Sequence, residues 1–401
     1  MTKPWRAKKG ESESKLINIF FLGLVSFFTD VSAEMVYPLI PLYLISAFGA
    51  TPALVGTVEG IAESLASLLK VYSGYISDKF QKKKALAFAG YSAGLFYKLV
   101  LLMAGSWVGV LLARVVDRFG KGIRVAPRDA LVSESADKSA LGKAYGLHKA
   151  LDMAGAALGI LITYFLLRGG ASDYKKMFLI SIIPAVLGLC MFFFIKEKKA
   201  ERRQVARPRF WRGLRELDGR LKLYLLVVFL FTLGNSSNAF LLLKAKSIGF
   251  DDVSAVLLYF AYNITASVLS LPLGRLSDKV GRKALLVSGY LVFSFVYFGF
   301  AVAGNQPLLA MMFVLYGVYT AMITGVERAF VAELAPAEIK GAMLGLQSTV
   351  AGIALLPASV ITGLLWIAYG SVVPFLFGAS LSLAAAMILL IFMRNPVLAH
   401  S

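Results

Sequence analysis

The sequence predicts an all-α polytopic membrane protein in which twelve transmembrane helices form two pseudo-symmetric six-helix halves. Three observations support this fold class. First, 58% of the 401 residues are hydrophobic and only 16% are charged, whereas soluble domains have about half and about a quarter. Second, the chain contains twelve apolar runs close to or longer than the roughly 20 residues that cross a bilayer. Third, sequence patterns of the first half return in the second.

The apolar runs, numbered as spans 1 to 12 in chain order, are mostly bounded by charge clusters or by Gly, Asn and Pro breaks. Loops rich in Lys and Arg recur on one side of the predicted membrane, and the opposite loops are short and nearly uncharged. This positive-inside pattern accounts for the net charge of +19, so we expect no nucleic-acid partner. We expect a cell inner membrane location with both termini cytoplasmic. The predicted spans are 15–47, 52–77, 85–104, 107–133, 141–168, 175–196, 221–247, 252–277, 284–303, 306–332, 338–368 and 371–393.

One long basic segment, KEKKAERRQVARPRFWRGLRELDGR, separates the two halves. We therefore expect an N-terminal six-helix bundle at 1–195, a cytoplasmic basic linker at 196–220 and a C-terminal six-helix bundle at 221–401. Apolar residues at helical spacing within the linker predict an amphipathic helix at the membrane surface, with a regulatory docking site as the alternative.

The halves are internal repeats. GYISDKFQKKKALAFAGY, which includes Asp78, returns as GRLSDKVGRKALLVSGY, which includes Asp278, and GKAYGLHK before span 5 returns as GAMLGLQS before span 11. Both matches have nearly the same offset and the same order relative to the spans. Two copies of a six-span unit are the architecture of a secondary transporter, with a substrate site between the copies near the membrane midplane.

The GxxxDKxGRK pattern in the second copy resembles the signature loop of the major facilitator superfamily, which lies between spans 2 and 3 and again between spans 8 and 9. In the first copy, Lys82 stands where the family has arginine. The start of span 4, RVVDRFGKG, also resembles the superfamily's fourth-span motif. The loop residues that carry the resemblance are Gly74, Asp78, Lys82, Gly274, Asp278 and Arg282.

The resemblance implies the superfamily fold and secondary active transport of a small organic solute by alternating access. We expect a monomer that contacts lipid, solute and protons, and no cofactor. Gly146, Gly155 and Gly159 resemble the fifth-span antiporter motif, although Ile160 stands where that motif has proline. This motif favours export. DVSxEMxYP in span 1 and GKGIRxAPRDAL in span 4 resemble a prokaryotic branch of the family.

Span 4 is highly charged, because residues 114–129 read RVVDRFGKGIRVAPRD with five bases and two acids. On a helix, charges at Arg114, Asp117, Lys121 and Arg124 share one face. The stretch is either a basic loop outside the membrane or a charged helix within it. The twelve-span architecture favours the helix, because a loop here would leave too few spans. We expect its charged face to meet the transport pathway.

Acidic and histidine side chains in the first half are candidates for proton coupling. Asp30 and Glu34 align in span 1, Glu63 lies on the span 2 face that continues to the loop motif, and His148 and Asp152 are one turn apart in span 5. The matching positions of Glu63, His148 and Asp152 in the second half are uncharged. We therefore predict that proton coupling resides in the N-terminal half.

The span 4 bases either pair with these acids or bind an anionic group of the solute, and the near balance of acids and bases favours pairing. Tyr37 aligns with the acids of span 1, while asparagines of spans 7 and 8 are the polar candidates of the second half. The predicted substrate-binding residues are Arg114, Arg118, Lys121, Tyr37, Asn235, Asn238 and Asn263.

Charged residues at the cytoplasmic ends of spans 4 and 10 predict a gate of salt bridges that stabilises one transport state without touching solute. These residues are Arg128 and Asp129 in the first half and Glu327 and Arg328 in the second. Together with the loop motif they form the predicted gate motif.

The leading hypothesis is therefore a proton-coupled exporter of a drug or metabolite. One alternative is uptake or exchange of an anion held by Arg114, Arg118 and Lys121. Another is a membrane sensor or scaffold that does not transport and uses the basic stretch 202–215. We find no phosphate-binding loop and no zinc-binding motif, so we expect neither an enzyme nor a resident metal. Convergence of Asp30, Glu34 and His148 on a divalent cation is a further alternative.

Overall fold

The computed structural model describes residues 4–80, 82–135, 141–169, 173–197, 218–335 and 340–393, and for residues 4–16, 71–80, 141–144, 332 and 340–342 it describes the helix but not the side chains. Within these ranges the chain is helical and has no strand. Contacts divide it into an N-terminal unit, Met1–Leu39 with Leu69–Arg207, and a C-terminal unit, Ile40–Leu68 with Pro208–Ser401. Most of the expected linker lies outside the described residues, so the predicted domain boundaries stay a prediction.

Helices occupy the places of all twelve predicted spans. The first six are Pro4–Glu34 with Leu39–Phe48, Pro52–Phe80, Lys83–Met103, Trp107–Glu134, Leu141–Arg168, and Tyr174–Ile180 with Ile182–Met191. The second six are Gly219–Gly234 with Ala239–Ser247, Asp252–Val280, Arg282–Val302, Gln306–Ile323 with Val326–Leu334, Lys340–Tyr369 and Val372–Phe392.

Within the described residues, eleven helical segments are long and apolar enough to cross a membrane. The remaining one, span 4, is a helix of 28 residues that carries many charges. The prediction of a helix rather than a basic loop at residues 114–129 is therefore correct. The all-α class with twelve predicted spans is confirmed.

Spans 1 and 7 are broken at corresponding places. In span 1 the helix ends at Glu34, and a new helix begins at Leu39 after a turn that contains Pro38, which has no N–H to continue the ladder. In span 7 the helix ends at Gly234 and resumes at Ala239. Such interruptions expose backbone polar groups, and in transporters they occur where a helix lines a cavity.

Glycines allow close approach of spans 1 and 5 in the N-terminal unit. A Cβ added at Gly155 would lie 2.3 Å from the carbonyl oxygen of Phe27, and one added at Gly159 would lie 2.4 Å from that of Val31. These are the glycines of the predicted antiporter motif. Only the absence of their side chains lets the two backbones meet, and this brings the polar residues one turn away into contact.

The C-terminal unit includes the first part of span 2, which packs on span 11. The Ser64 hydroxyl donates to the carbonyl of Gly352 over 2.6 Å, and a Cβ added at Gly363 would lie 2.4 Å from the Cα of Ala53. Glu59 of the same helix is buried, with 1% exposure.

Candidate functional site

A pair of carboxyl groups joins spans 1 and 5. Asp30 lies between the residues of span 1 that contact Gly155 and Gly159, and its carboxyl is hydrogen-bonded to that of Asp152. Arg124 and Lys121 act electrostatically on Asp30, and the Lys149 ammonium lies 2.8 Å from the Asp152 carboxylate. The structure thus brings together two residues of the predicted proton-coupling set.

A hydrogen-bonded chain lies one turn away from this pair. The Nε2 atom of His148 is 2.9 Å from the Ser26 hydroxyl, which is 3.1 Å from the hydroxyl of Tyr91 in span 3. His148 and Ser26 are buried, and both precede the paired aspartates by four residues. A chain of groups that can each donate or accept a proton therefore runs beside the carboxyl pair.

The predicted bases of span 4 cluster around one acid. The Asp117 carboxylate lies 3.3 Å from Nη1 of Arg114 and 3.6 Å from Nε of Arg118. Both guanidinium groups lie over the ring of Tyr37, at 5.2 and 5.4 Å from its centroid. Arg114 is 1% exposed, so its charge is compensated within the protein and not by bulk water.

Two further buried bases stand beside this group. The Lys98 ammonium donates to the carbonyl of Gly94 over 2.8 Å and lies 4.6 Å from the ring centroid of Tyr97. The Arg124 guanidinium lies 4.7 Å from the ring centroid of Tyr91. Its Nη1 atom is buried and has no hydrogen-bond partner among the described residues.

The remaining predicted residues of the first half are Glu34, Lys121 and Glu63. Glu34 and Lys121 are partly buried in the N-terminal unit, whereas Glu63 is partly buried and belongs to the C-terminal unit. Each of the three makes at least one polar or electrostatic interaction. No group of three or more His, Cys, Asp or Glu in the described residues could hold a metal ion, so Asp30, Glu34 and His148 do not converge as a cation site would require.

The predicted asparagines of span 7 belong to a network of tyrosines. Asn238 donates to the Tyr262 hydroxyl over 3.1 Å and accepts from the Tyr316 hydroxyl over 2.8 Å. Asn235 donates to the Tyr319 hydroxyl over 2.9 Å. In contrast, the Asn263 amide donates to the backbone carbonyl of Tyr259 in its own helix, over 2.8 Å. The first two asparagines, at the two ends of the break in span 7, therefore connect it to tyrosines of spans 8 and 10.

The predicted gate contains equivalent ion pairs in the two halves. Arg282 bonds the Glu333 carboxylate at 2.9 Å and approaches Asp278 at 3.5 Å. In the first half, Lys83 bonds Glu134, whereas Lys82, the predicted equivalent of Arg282, is exposed before the start of span 3.

The lysines that follow these two bases also correspond. Lys84 donates to the Ile195 carbonyl at the end of span 6. Lys283 donates to the carbonyls of Leu390 and Met393 at the end of span 12.

The remaining gate residues have other partners. Arg128 bonds its neighbour Asp129 through Nε and Nη2, at 3.0 and 2.8 Å. Glu327 accepts from the hydroxyl of Tyr290 at 3.0 Å, and Arg328 is exposed. Gly274 lies within the helix of span 8. The side chains at Gly74 and Asp78 lie outside the described residues, so the gate as a whole stays a prediction.

The sequence interpretation did not include Lys98, Tyr91 or the tyrosines of spans 8 to 10 in the site. One signal could have found them. Aligning the halves by the start of spans 3 and 9 places Lys98 opposite Tyr297 and Asp117 opposite Tyr316. A buried charge in one copy opposite a tyrosine in the other marks a position where the halves have diverged.

Comparison with known proteins identifies the scaffold that holds these residues. The family model described as Major Facilitator Superfamily matches residues 22–243 and 223–401. An uncharacterized MFS-type transporter of Methanocaldococcus jannaschii is 37% identical over 390 residues, which cover 96% of this chain and 97% of the relative. Multidrug resistance protein MdtH of Photorhabdus laumondii is 23% identical over 368 residues, covering 89% of this chain and 88% of the relative.

The fold is likewise similar to solved structures. The crystal structure of the nucleoside transporter NupG superposes with a TM-score of 0.78 at 13% identity, covering 94% of this chain and 99% of that chain. At this identity the similarity concerns the fold alone. The matching family consists of membrane transporters and is not a class of enzymes.

Proposed function

The chain belongs to the major facilitator superfamily, and we propose that it is a proton-coupled exporter of a small organic solute, working by alternating access in a cell inner membrane. The low-identity relatives named as multidrug resistance proteins support export. The positive-inside pattern supports cytoplasmic termini. The solute site itself is proposed to include the span 4 bases and the asparagines of span 7.

The observation that carries the proposal is the hydrogen bond between Asp30 and Asp152. Two carboxyl groups at hydrogen-bond distance hold one proton between them, because two carboxylates would repel each other. Losing the proton therefore leaves two adjacent negative charges on spans 1 and 5. The Arg124 and Lys121 charges that act on Asp30 could then compensate the new charge only after side chains rearrange.

This arrangement supplies a coupling mechanism. The protonated pair favours the close packing of spans 1 and 5, and the deprotonated pair favours separation or a new contact with span 4. A proton that binds the two states with different affinity shifts their populations. The chain from His148 through Ser26 to Tyr91 offers a route for the proton along the same face.

Dye transport in inside-out membrane vesicles tests the proposal, with ethidium as a cationic probe and carboxyfluorescein as an anionic probe. In vesicles whose interior has been acidified, the wild-type protein should accumulate at least one dye, and nigericin should abolish the accumulation. Asp30→Asn and Asp152→Asn should each lose the dependence on the pH gradient. Asp173→Asn is the matched control, because Asp173 is an exposed acid that caps a span 6 helix.

Two results would contradict the proposal. One is gradient-driven accumulation that remains unchanged in both aspartate variants, which would remove the carboxyl pair from coupling. The other is the failure of wild-type vesicles to move either dye in response to the gradient, provided that the protein is present at the expected level in the membrane.

A further inference from the structure

Four bases of spans 3 and 4 are buried near one acid, Asp117. Lys98, Arg114, Arg118 and Arg124 are each at most 6% exposed. The acid within this group is Asp117, which the two arginines on its own helix already contact. Burying cations without equal countercharge is costly, so a group of this kind indicates a role beyond packing.

The charge balance of the whole N-terminal unit supports the same conclusion. Among the side chains predicted to lie within the spans, eight bases and five acids belong to this unit, and the acids Glu59 and Glu63 belong to the other unit. If the carboxyl pair on spans 1 and 5 holds a proton, the negative charge is smaller still. The bases are Lys70, Lys98, Arg114, Arg118, Lys121, Arg124, Arg128 and Lys149, and the acids are Asp30, Glu34, Asp117, Asp129 and Asp152.

Arg124 provides the specific site. Its Nη1 atom is buried without a hydrogen-bond acceptor among the described residues, which is unfavourable for any buried polar group and more so for a charged one. The Tyr91 ring supports the plane of the guanidinium but accepts no hydrogen bond from Nη1. The side chain is therefore held in place with one donor unused.

Glycines of span 3 shape the space around this donor. The Cβ that Gly90 lacks would lie 2.6 Å from the Cβ of Arg124, so Arg124 occupies that space. The Cβ that Gly94 lacks would lie 3.4 Å from Nη1, and the Gly94 carbonyl binds the Lys98 ammonium. The Arg124 guanidinium and the Lys98 ammonium therefore both lie beside Gly94, which has no side chain.

The second half shows that the fold does not require bases here. At the equivalents of Gly94 and Lys98 it has Phe293 and Tyr297, whose rings stack with centroids 3.9 Å apart. At the equivalent of Arg124 it has Ile323. The same helix pair can therefore be filled by apolar side chains, and the bases of the first half serve another purpose.

We propose that Arg124, together with Lys98, binds an oxyanion group, carboxylate or phosphate, of a small organic solute. This inference rests on the proposed transport function and specifies the class of its solute. Arginine donates to such groups through charge-assisted hydrogen bonds, and loss of one such bond weakens binding about tenfold or more. A phenyl ring on each test compound represents the organic part of the solute.

The test uses the purified full-length protein in detergent micelles, without a pH gradient. Thermal unfolding is followed while benzoate, phenyl phosphate or uncharged benzamide is added at constant ionic strength. Benzoate or phenyl phosphate should raise the Tm in a saturable manner, benzamide should not, and the preferred anion identifies the group. Arg124→Gln and Lys98→Met should weaken anion binding at least about tenfold, and Arg124→Lys should weaken it less than Arg124→Gln.

Arg275→Gln is the matched control, because Arg275 is an exposed arginine of span 8. Anion binding that is unchanged in Arg124→Gln, equal stabilisation by benzamide and benzoate, or no saturable effect of either anion would overturn the proposal. If Arg124→Gln does not fold, the folded Arg124→Lys variant decides the question by its affinity. Failure here is distinct from failure of proton coupling, because binding is measured without a gradient and with both aspartates intact.

Discussion

The helix pair formed by spans 3 and 4 and the pair formed by spans 9 and 10 have helices that start at matching positions but different interiors. Lys83–Met103 corresponds to Arg282–Val302, and the following helices begin at Trp107 and Gln306 after capping residues at equivalent positions. The first pair encloses buried bases and Asp117. The second encloses aromatic rings, with Phe293 stacked on Tyr297 and edge-on to Tyr319.

Features at the predicted cytoplasmic end are shared between the two pairs. Both have a basic residue bonded to the glutamate that ends the next span, Lys83 to Glu134 and Arg282 to Glu333. The comparison therefore separates two roles. The shared ion pairs hold the ends of neighbouring helices together. The positions that differ lie within the predicted spans and are available for function. They have charged side chains in the first half and tyrosine and asparagine side chains in the second.

The largest effect is expected when the acid is removed from the buried charges of spans 3 and 4. Asp117→Asn leaves Arg114 and Arg118 buried without their shared counterion, so we expect a loss of about 3 to 5 kcal/mol of stability, measured as a lower Tm in detergent micelles. The double variant Arg114→Phe with Asp117→Tyr introduces the residues at the equivalent positions, Phe313 and Tyr316. It should recover part of the loss. A single variant as stable as the wild type would show that the buried charges are not coupled.

A smaller effect is expected at the shared ion pairs, which differ in burial. The side chain of Lys83 is 8% exposed and that of Arg282 is 32% exposed. Lys83→Met should cost about 2 kcal/mol because it leaves Glu134 partly buried without its base. Arg282→Met should cost less than about 1 kcal/mol. Chemical denaturation of the two variants measures both losses of unfolding free energy. A larger loss in Arg282→Met than in Lys83→Met would contradict burial as the cause of the difference.

A comparable effect is expected in the tyrosine and asparagine network of the second half. Asn238→Leu removes hydrogen bonds to Tyr262 and Tyr316, so we expect a cost of about 1 to 3 kcal/mol in unfolding free energy. Asn263→Leu is the control, because the Asn263 amide donates within its own helix, and it should change stability less. Equal effects of the two substitutions would indicate that the network does not stabilise the break in span 7.

Much of the fold was predictable because membranes impose simple rules on sequence. Apolar runs and loop charges predicted the helices, and the repeated loop motif predicted the family, which the comparisons confirm. The candidate site was only partly predictable. Asp30, Asp152 and His148 were identified because ionisable side chains within a membrane span are costly in free energy. The pairing of the two aspartates, however, depends on how closely Gly155 and Gly159 bring spans 5 and 1 together.

The sequence by itself determined the helical membrane fold, the charged nature of span 4 and the loss of charge in the second half. These follow from composition and periodicity, which act within single helices. Tertiary structure decided that the carboxyl groups of Asp30 and Asp152 interact, that Lys83 and not Lys82 bonds Glu134, and that Arg124 has a buried Nη1 atom without a partner beside Gly94. Such outcomes depend on distances of a few ångströms between helices, and no pattern along one helix specifies them.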